Sequence, residues 1–140
     1  MDCVWITIRE EGDDFVVDAR DLPEVVTSGT DRHEALRLAA DAVEVAVAGR
    51  MDDEMDLPAP SLGRAGEVQV ALPAPLAAKA AIYRAFRSSG LRLADLARVM
   101  NRAETDVRTI LDPREGTPLD VLDEAARALG GRLTVSFEPA

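Results

Sequence analysis

The chain has 140 residues, 47% of them apolar and 30% charged, enough for one ordinary domain or two small ones with a buried core. Its single cysteine and single histidine exclude an intrachain disulfide, a cysteine-based zinc site and any histidine-pair metal site. No apolar run approaches membrane-spanning length and no charged-then-apolar leader precedes Trp5, so a soluble cytoplasmic protein is expected.

The formal charge of −10 is unevenly placed. Residues 1–72 carry 17 acids against 6 arginines, a balance of −11, whereas residues 73–140 carry 9 acids against 10 bases. Within residues 84–114 seven arginines face four acids. This asymmetry points to two jobs, an acidic module for a basic partner and a mildly basic module for an anionic one.

Val4, Ile6 and Ile8 alternate with Trp5, Thr7 and Arg9, the period of a strand, and Glu11-Gly12-Asp13-Asp14 is a turn into a second strand over Phe15–Ala19. Leu22-Pro23 breaks the pattern before a short third strand at Val25–Thr27, ending at Ser28-Gly29. Thr30 or Asp31 caps a helix, and Asp31 with Glu34 resembles a capping box; the stripe of this helix is Ala35, Leu36, Ala39, Ala42, Val43, Ala46 and Val47, with Gly49 expected to end it. Residues 51–66 are acidic, then rich in Pro and Gly, and are expected to be a loop. Residues 67–72 alternate as a fourth strand. The expected order is β-β-β-α-β, an α+β layer with one helix on a sheet.

Several acids invite an enzymatic reading. Asp13, Asp14, Asp18 and Asp21 lie around the hairpin, but turn acids are commonly just solvated, and Asp52, Asp53, Glu54 and Asp56 lack the glycine and distal glutamate of a calcium loop. His33 has no Ser, Cys or second His to work with. There is no nucleophile–base pair and no phosphate-binding glycine loop, so neither an enzyme nor a cofactor is expected.

Pro73-Ala74-Pro75 is a stiff hinge and the expected domain boundary. A helix follows over Leu76–Ser89, with Ile82, Ala85 and Phe86 inward and Gly90 closing it. In the stretch LRLADLARVMNRAETDVRTIL, residues 91–111, Leu93, Leu96, Ala97 and Met100 recur at helical spacing, and Val107, Ile110 and Leu111 do so after a polar break. Small Ala97, corner residue Asn101 and apolar Val107 and Ile110 occupy the spacing of a helix-turn-helix, whose second helix enters the DNA major groove. An ordinary αα-hairpin is the alternative. Pro113 stops the second helix; Thr117 then caps a helix with Pro118 at its first position and Leu119, Leu122, Ala126 and Leu129 inward, ended by Gly130-Gly131. Arg132–Phe137 alternates as a last strand with no strand nearby to pair with. It either joins the N-terminal sheet or, the favoured expectation, pairs with its own copy across a two-fold axis through Leu133, Val135 and Phe137, giving a homodimer and from dimers a tetramer.

The stretch FVVDARDLPEVVTSGTDRHEALRLAADAVE resembles the HicB antitoxin family, with Asp21-Leu22-Pro23, Thr27, Gly29 and Glu34-Ala35 in register with the family pattern. The C-terminal half resembles the HicB subgroup that carries a helix-turn-helix, including the Asp112-Pro113-Arg114 turn. Ala19-Arg20 and Glu24 depart from the aromatic or Phe-Pro and the glycine that often flank the Asp-Leu-Pro. The resemblance implies a type II antitoxin whose residues 1–72, similar to a partial RNase H-like fold without its catalytic carboxylates, bind a HicA-type mRNA-cleaving toxin. Trp5, Asp18, Asp21, Leu22 and Glu24 are the expected toxin contacts. Residues 76–140 would bind operator double-stranded DNA and repress the operon, with Thr105, Arg108 and Thr109 facing bases and Arg98, Arg102 and Arg114 facing phosphates. The rival reading is a stand-alone helix-turn-helix regulator with a ligand-sensing or dimerising N-terminal module.

Overall fold

A computed structural model describes residues 2–140. The elements run in chain order as β1 (Cys3–Glu11), β2 (Asp14–Ala19), β3 (Val26–Gly29), α1 (Arg32–Asp52), β4 (Val68–Ala71), α2 (Ala74–Ser89), α3 (Leu93–Met100), α4 (Glu104–Leu111) and α5 (Leu119–Ala128). The α+β layout expected from the hydrophobic periods is the one observed.

The sheet has strand order β3-β2-β1-β4 with every neighbouring pair antiparallel. Alternation along β1 and β2 sends Val4, Ile6, Val17 and Ala19 to the face covered by α1, where all are buried. Ala35, Ala39, Val43 and Val47 answer from α1. Their small side chains let the helix lie close, and at Gly29 the approach is closest, since a Cβ there would stand 2.6 Å from the Ala35 backbone nitrogen. The helix starts as expected: the Glu34 N–H donates to Asp31 Oδ1 at 2.8 Å, while Glu34 Oε1 accepts from the Thr30 N–H.

Gly49 does not end α1. The helix continues to Asp52 because it buries Met51 and brings Arg50 against Glu24, and the left-handed position falls at Glu54 (φ 55°). An internal glycine costs a helix only about 1 kcal/mol, less than a buried methionine contributes.

The two apolar cores meet on α2. Leu76, Ala80 and Tyr83 pack into the core of the sheet and α1, whereas Ile82 joins Leu96, Ala97, Met100, Val107, Ile110 and Leu122 in the helical core. Polar contacts reinforce the junction: Tyr83 Oη donates to the Met55 carbonyl at 2.7 Å, and Arg87 donates to Asp56 at 2.8 Å. Ala85, expected inward, is exposed.

Two expectations in the C-terminal half need correction. Thr117 caps nothing, since its Oγ1 is buried without a hydrogen-bond partner and α5 begins at Leu119, past Pro118. Leu119 is 57% exposed, so the inward stripe of α5 is carried by Leu122, Ala125 and Ala126. Residues 132–137 form no strand in the single chain. Leu133 rests on the helical core and its N–H donates to Asp123 Oδ1 at 3.1 Å, but Val135 and Phe137 are 79% and 90% exposed. The segment does not join the sheet, so no ladder partner is within the chain.

Candidate nucleic-acid interface and partner face

The α3–α4 pair is built around its corner. Asn101 takes the left-handed conformation, φ 54° and ψ 47°, which asparagine tolerates better than most residues do. Its N–H donates to the Arg98 carbonyl, and the Arg102 N–H reaches the Ala97 carbonyl at 2.9 Å. Ala97 is buried in the core that α3 and α4 share, where Val107 and Ile110 are also buried. At the start of α3, Asp95 accepts from the Arg92 N–H at 2.9 Å, and this bond holds its carboxyl below the usual range.

The far end of α4 is fixed by a residue that sequence reasoning missed. Lys79 on α2 is 2% exposed, and its Nζ donates to the Thr109 and Asp112 carbonyls, each at 2.8 Å. These carbonyls belong to the last turn of α4 and its cap, where backbone acceptors lack helical partners and a positive charge is favoured. Burial lowers the Lys79 pKa, opposed by Asp112 and Glu115. A signal existed: Lys79 is the sole lysine among sixteen cationic residues, and it lies beside Ala80 on the Leu76–Ala80–Tyr83 stripe.

Thr105, Arg108 and Thr109 are all exposed on α4. The Thr109 hydroxyl donates back to the Thr105 carbonyl at 3.2 Å, and Arg108 lies 3.9 Å from Glu104, a loose and exposed pair. Arg98 is likewise exposed beside Asp95. Arg102 and Arg114 are more constrained. Arg102 makes two bonds to Glu124 of α5, at 2.9 and 3.2 Å, which raise its pKa and lower that of Glu124. Arg114 is paired with Asp52 at the end of α1, which raises its pKa. Either would have to exchange a carboxylate for a phosphate on binding DNA.

The expected partner contacts fall on different surfaces. Trp5 and Asp18 lie on the sheet face opposite α1, where Asp18 accepts from the Thr7 hydroxyl and, at 2.6 Å, from Arg9. The loop after α1 is ordered into a strap across this face. Trp5 Nε1 donates to the Ser61 carbonyl at 3.0 Å, Arg20 donates to Ser61 Oγ and the Leu62 carbonyl, and Ser61 Oγ donates to Asp21. Gly63 lies flat on the indole, for a Cβ there would sit 2.6–2.8 Å from three of its ring carbons. Trp5 and Asp21 therefore hold the strap. Leu22 is fully buried and has no surface to offer a partner, which corrects its assignment as a contact. Glu24 is engaged by Arg50 through two bonds, at 2.6 and 2.9 Å, which lower its pKa.

Among the described residues no group of three or more His, Cys, Asp or Glu side chains converges to hold a metal ion. Asp13 and Asp14 are exposed at the hairpin end. Among the described residues no helix is long and apolar enough to cross a membrane.

A model of the HicB-like antitoxin of bacterial toxin–antitoxin systems matches residues 3–81, the whole sheet layer with α1 and half of α2. The chain belongs to the HicB-like antitoxin family. "Antitoxin HicB 1" of Photorhabdus laumondii is 36% identical over 129 residues, covering 92% of this chain and 81% of that protein. "Antitoxin HicB" of Pseudomonas fluorescens is 30% identical over 96% of this chain and 93% of its own length, and "Antitoxin HicB" of Escherichia coli is 28% identical over 94% and 95%. Alignments that leave so little of the chain uncovered necessarily include α3 and α4, so the HicB likeness extends beyond the sheet layer into the helical unit. Relatives named as antitoxins, matched along most of the chain, support an antitoxin role.

Proposed function

We propose that this antitoxin neutralises a HicA-type mRNA-cleaving toxin and represses its own operon through α3 and α4. The observation that carries this reading is the HicB likeness along nearly the whole chain, joined to a two-helix unit whose corner is the left-handed Asn101. The surplus of acid in residues 1–72 supports the toxin role, because an acidic surface competes for a groove that holds RNA and speeds encounter with a basic protein. Residues 76–140 are the DNA-binding and dimerising part in this reading. Exposed Val135 and Phe137 give a second copy an apolar edge to pair with, next to Leu133.

Thr105, Arg108 and Thr109 read base edges, and Arg98 meets phosphate. Arg102 and Arg114 join it only by releasing Glu124 and Asp52. The test is binding to the chain's own promoter measured by fluorescence anisotropy. Arg108→Ala should lose about 1–3 kcal/mol on the operator while leaving affinity for random DNA nearly intact. Equal losses on both sequences would make Arg108 a phosphate contact. Operator affinity that ignores every α4 substitution would remove α4 from the interface. Removal of residues 132–140 should abolish the dimer seen by size-exclusion with light scattering, and an unchanged oligomer would refute pairing through the tail.

A further inference from the structure

A groove of about 570 Å³ runs between the solvent side of α1 and the turn after α4. Asp41, Glu44 and Val45 line it from α1, Leu76 from the start of α2, and Pro113 and Arg114 from the turn. Val45 is the unexpected member. It is 72% exposed in the middle of a long helix, although a β-branched residue there contributes less to helix stability than alanine and gains nothing from burial. Asp41, one turn before it, and Glu44, beside it, form no ion pair among the described residues, whereas Arg114 at the groove's end is already neutralised by Asp52. The groove therefore combines an exposed apolar anchor with an uncompensated negative rim, and its apolar walls strengthen that field.

We propose that this groove docks the basic protein partner of the antitoxin, receiving a short cationic segment of it. This rests on the antitoxin reading. A lysine or arginine fits by its two natures: the aliphatic stem lies against Val45 and Leu76, and the charged head meets Asp41 and Glu44. DNA is disfavoured by the same carboxylates. A second copy pairs through its C-terminal tail in this reading, and at the groove it would bring a net charge of −10 against Asp41 and Glu44. Because Pro113 and Arg114 directly follow α4, a partner seated here touches both the layer of the sheet and the helical unit.

The test uses the full chain and the small basic protein encoded beside its gene, with affinity and rates measured by biolayer interferometry. Asp41→Lys/Glu44→Lys should slow association and flatten its salt dependence, and Val45→Lys should hasten dissociation, each weakening binding about tenfold or more. Val45→Ala, which favours the helix, should weaken binding in the same direction and separates lost contact from lost folding. Val99→Lys, at an exposed valine on α3 outside the groove and the expected partner contacts, should change affinity less than twofold, taking about twofold as the limit of a bystander site. Wild-type binding with all groove variants unchanged would overturn the groove and leave the antitoxin reading standing. No binding by the wild type would overturn both.

Discussion

Replacing Lys79 by methionine keeps the length of the side chain and removes the ammonium that ties α2 to the end of α4. Two hydrogen bonds are lost, both from a charged donor to the buried ends of a helix, at 2.8 Å each. Charge-assisted bonds contribute about 1.5–3 kcal/mol apiece, for a gross loss of about 3–6 kcal/mol. Relief from burying a charge returns several kcal/mol, so Lys79→Met should destabilise by about 1–3 kcal/mol in urea unfolding at neutral pH. The pH dependence gives a second handle. Burial lowers the folded-state pKa of Lys79 below its ordinary 10.5, so between the two values the unfolded chain binds more protons than the folded one. Stability should therefore rise with pH across that interval, and the rise should be missing in Lys79→Met. Tyr83, whose pKa burial raises above 10.0, works in the opposite direction at higher pH, so the comparison belongs below pH 10.0. A variant within about 0.5 kcal/mol of wild type, with the same pH slope, would refute the role assigned to Lys79.

Other substitutions probe the corner, the strap and the missing cap. Asn101→Ala should destabilise by about 1 kcal/mol in denaturant unfolding, while Asn101→Gly should be neutral or stabilising, because only the backbone conformation is at stake. Gly63→Ala must lift the strap from Trp5, and since Trp5 is the only tryptophan, its emission should shift to the red; an unmoved spectrum would contradict the stacking. Thr117→Val should leave stability unchanged or raise it by up to about 1 kcal/mol, because the buried hydroxyl has no partner. A loss of about 1 kcal/mol would instead restore Thr117 as a cap.

Much of the architecture was legible because it rests on local periods. The alternation of β1, the small-residue stripe of α1 and the Ala97–Asn101–Val107 spacing each reflect one element's own geometry and survive into the structure. What failed depends on contacts between distant residues. Gly49 looked like a stop until Met51 found the core. Residues 51–66 looked like a plain loop, although 51 and 52 close α1, because the contacts that order the rest join Trp5 to Ser61 and Arg20 to Leu62, more than forty positions apart. Arg102 and Arg114 looked free for phosphate because Glu124 and Asp52 lie 22 and 62 positions away. Thr117 carried the right residue type for a cap, but the chain turns so that its hydroxyl faces inward. Leu22 shares its motif with Asp21, and motif position alone does not tell a buried leucine from a contact.

The central claim is neutralisation of a toxin, and it is tested most directly by titrating the purified chain into the ribonuclease assay of its gene neighbour's small basic product. The account predicts that cleavage of mRNA stops at a fixed stoichiometry, with a stable complex recovered by size-exclusion chromatography. Undiminished cleavage in the presence of excess folded chain would contradict it.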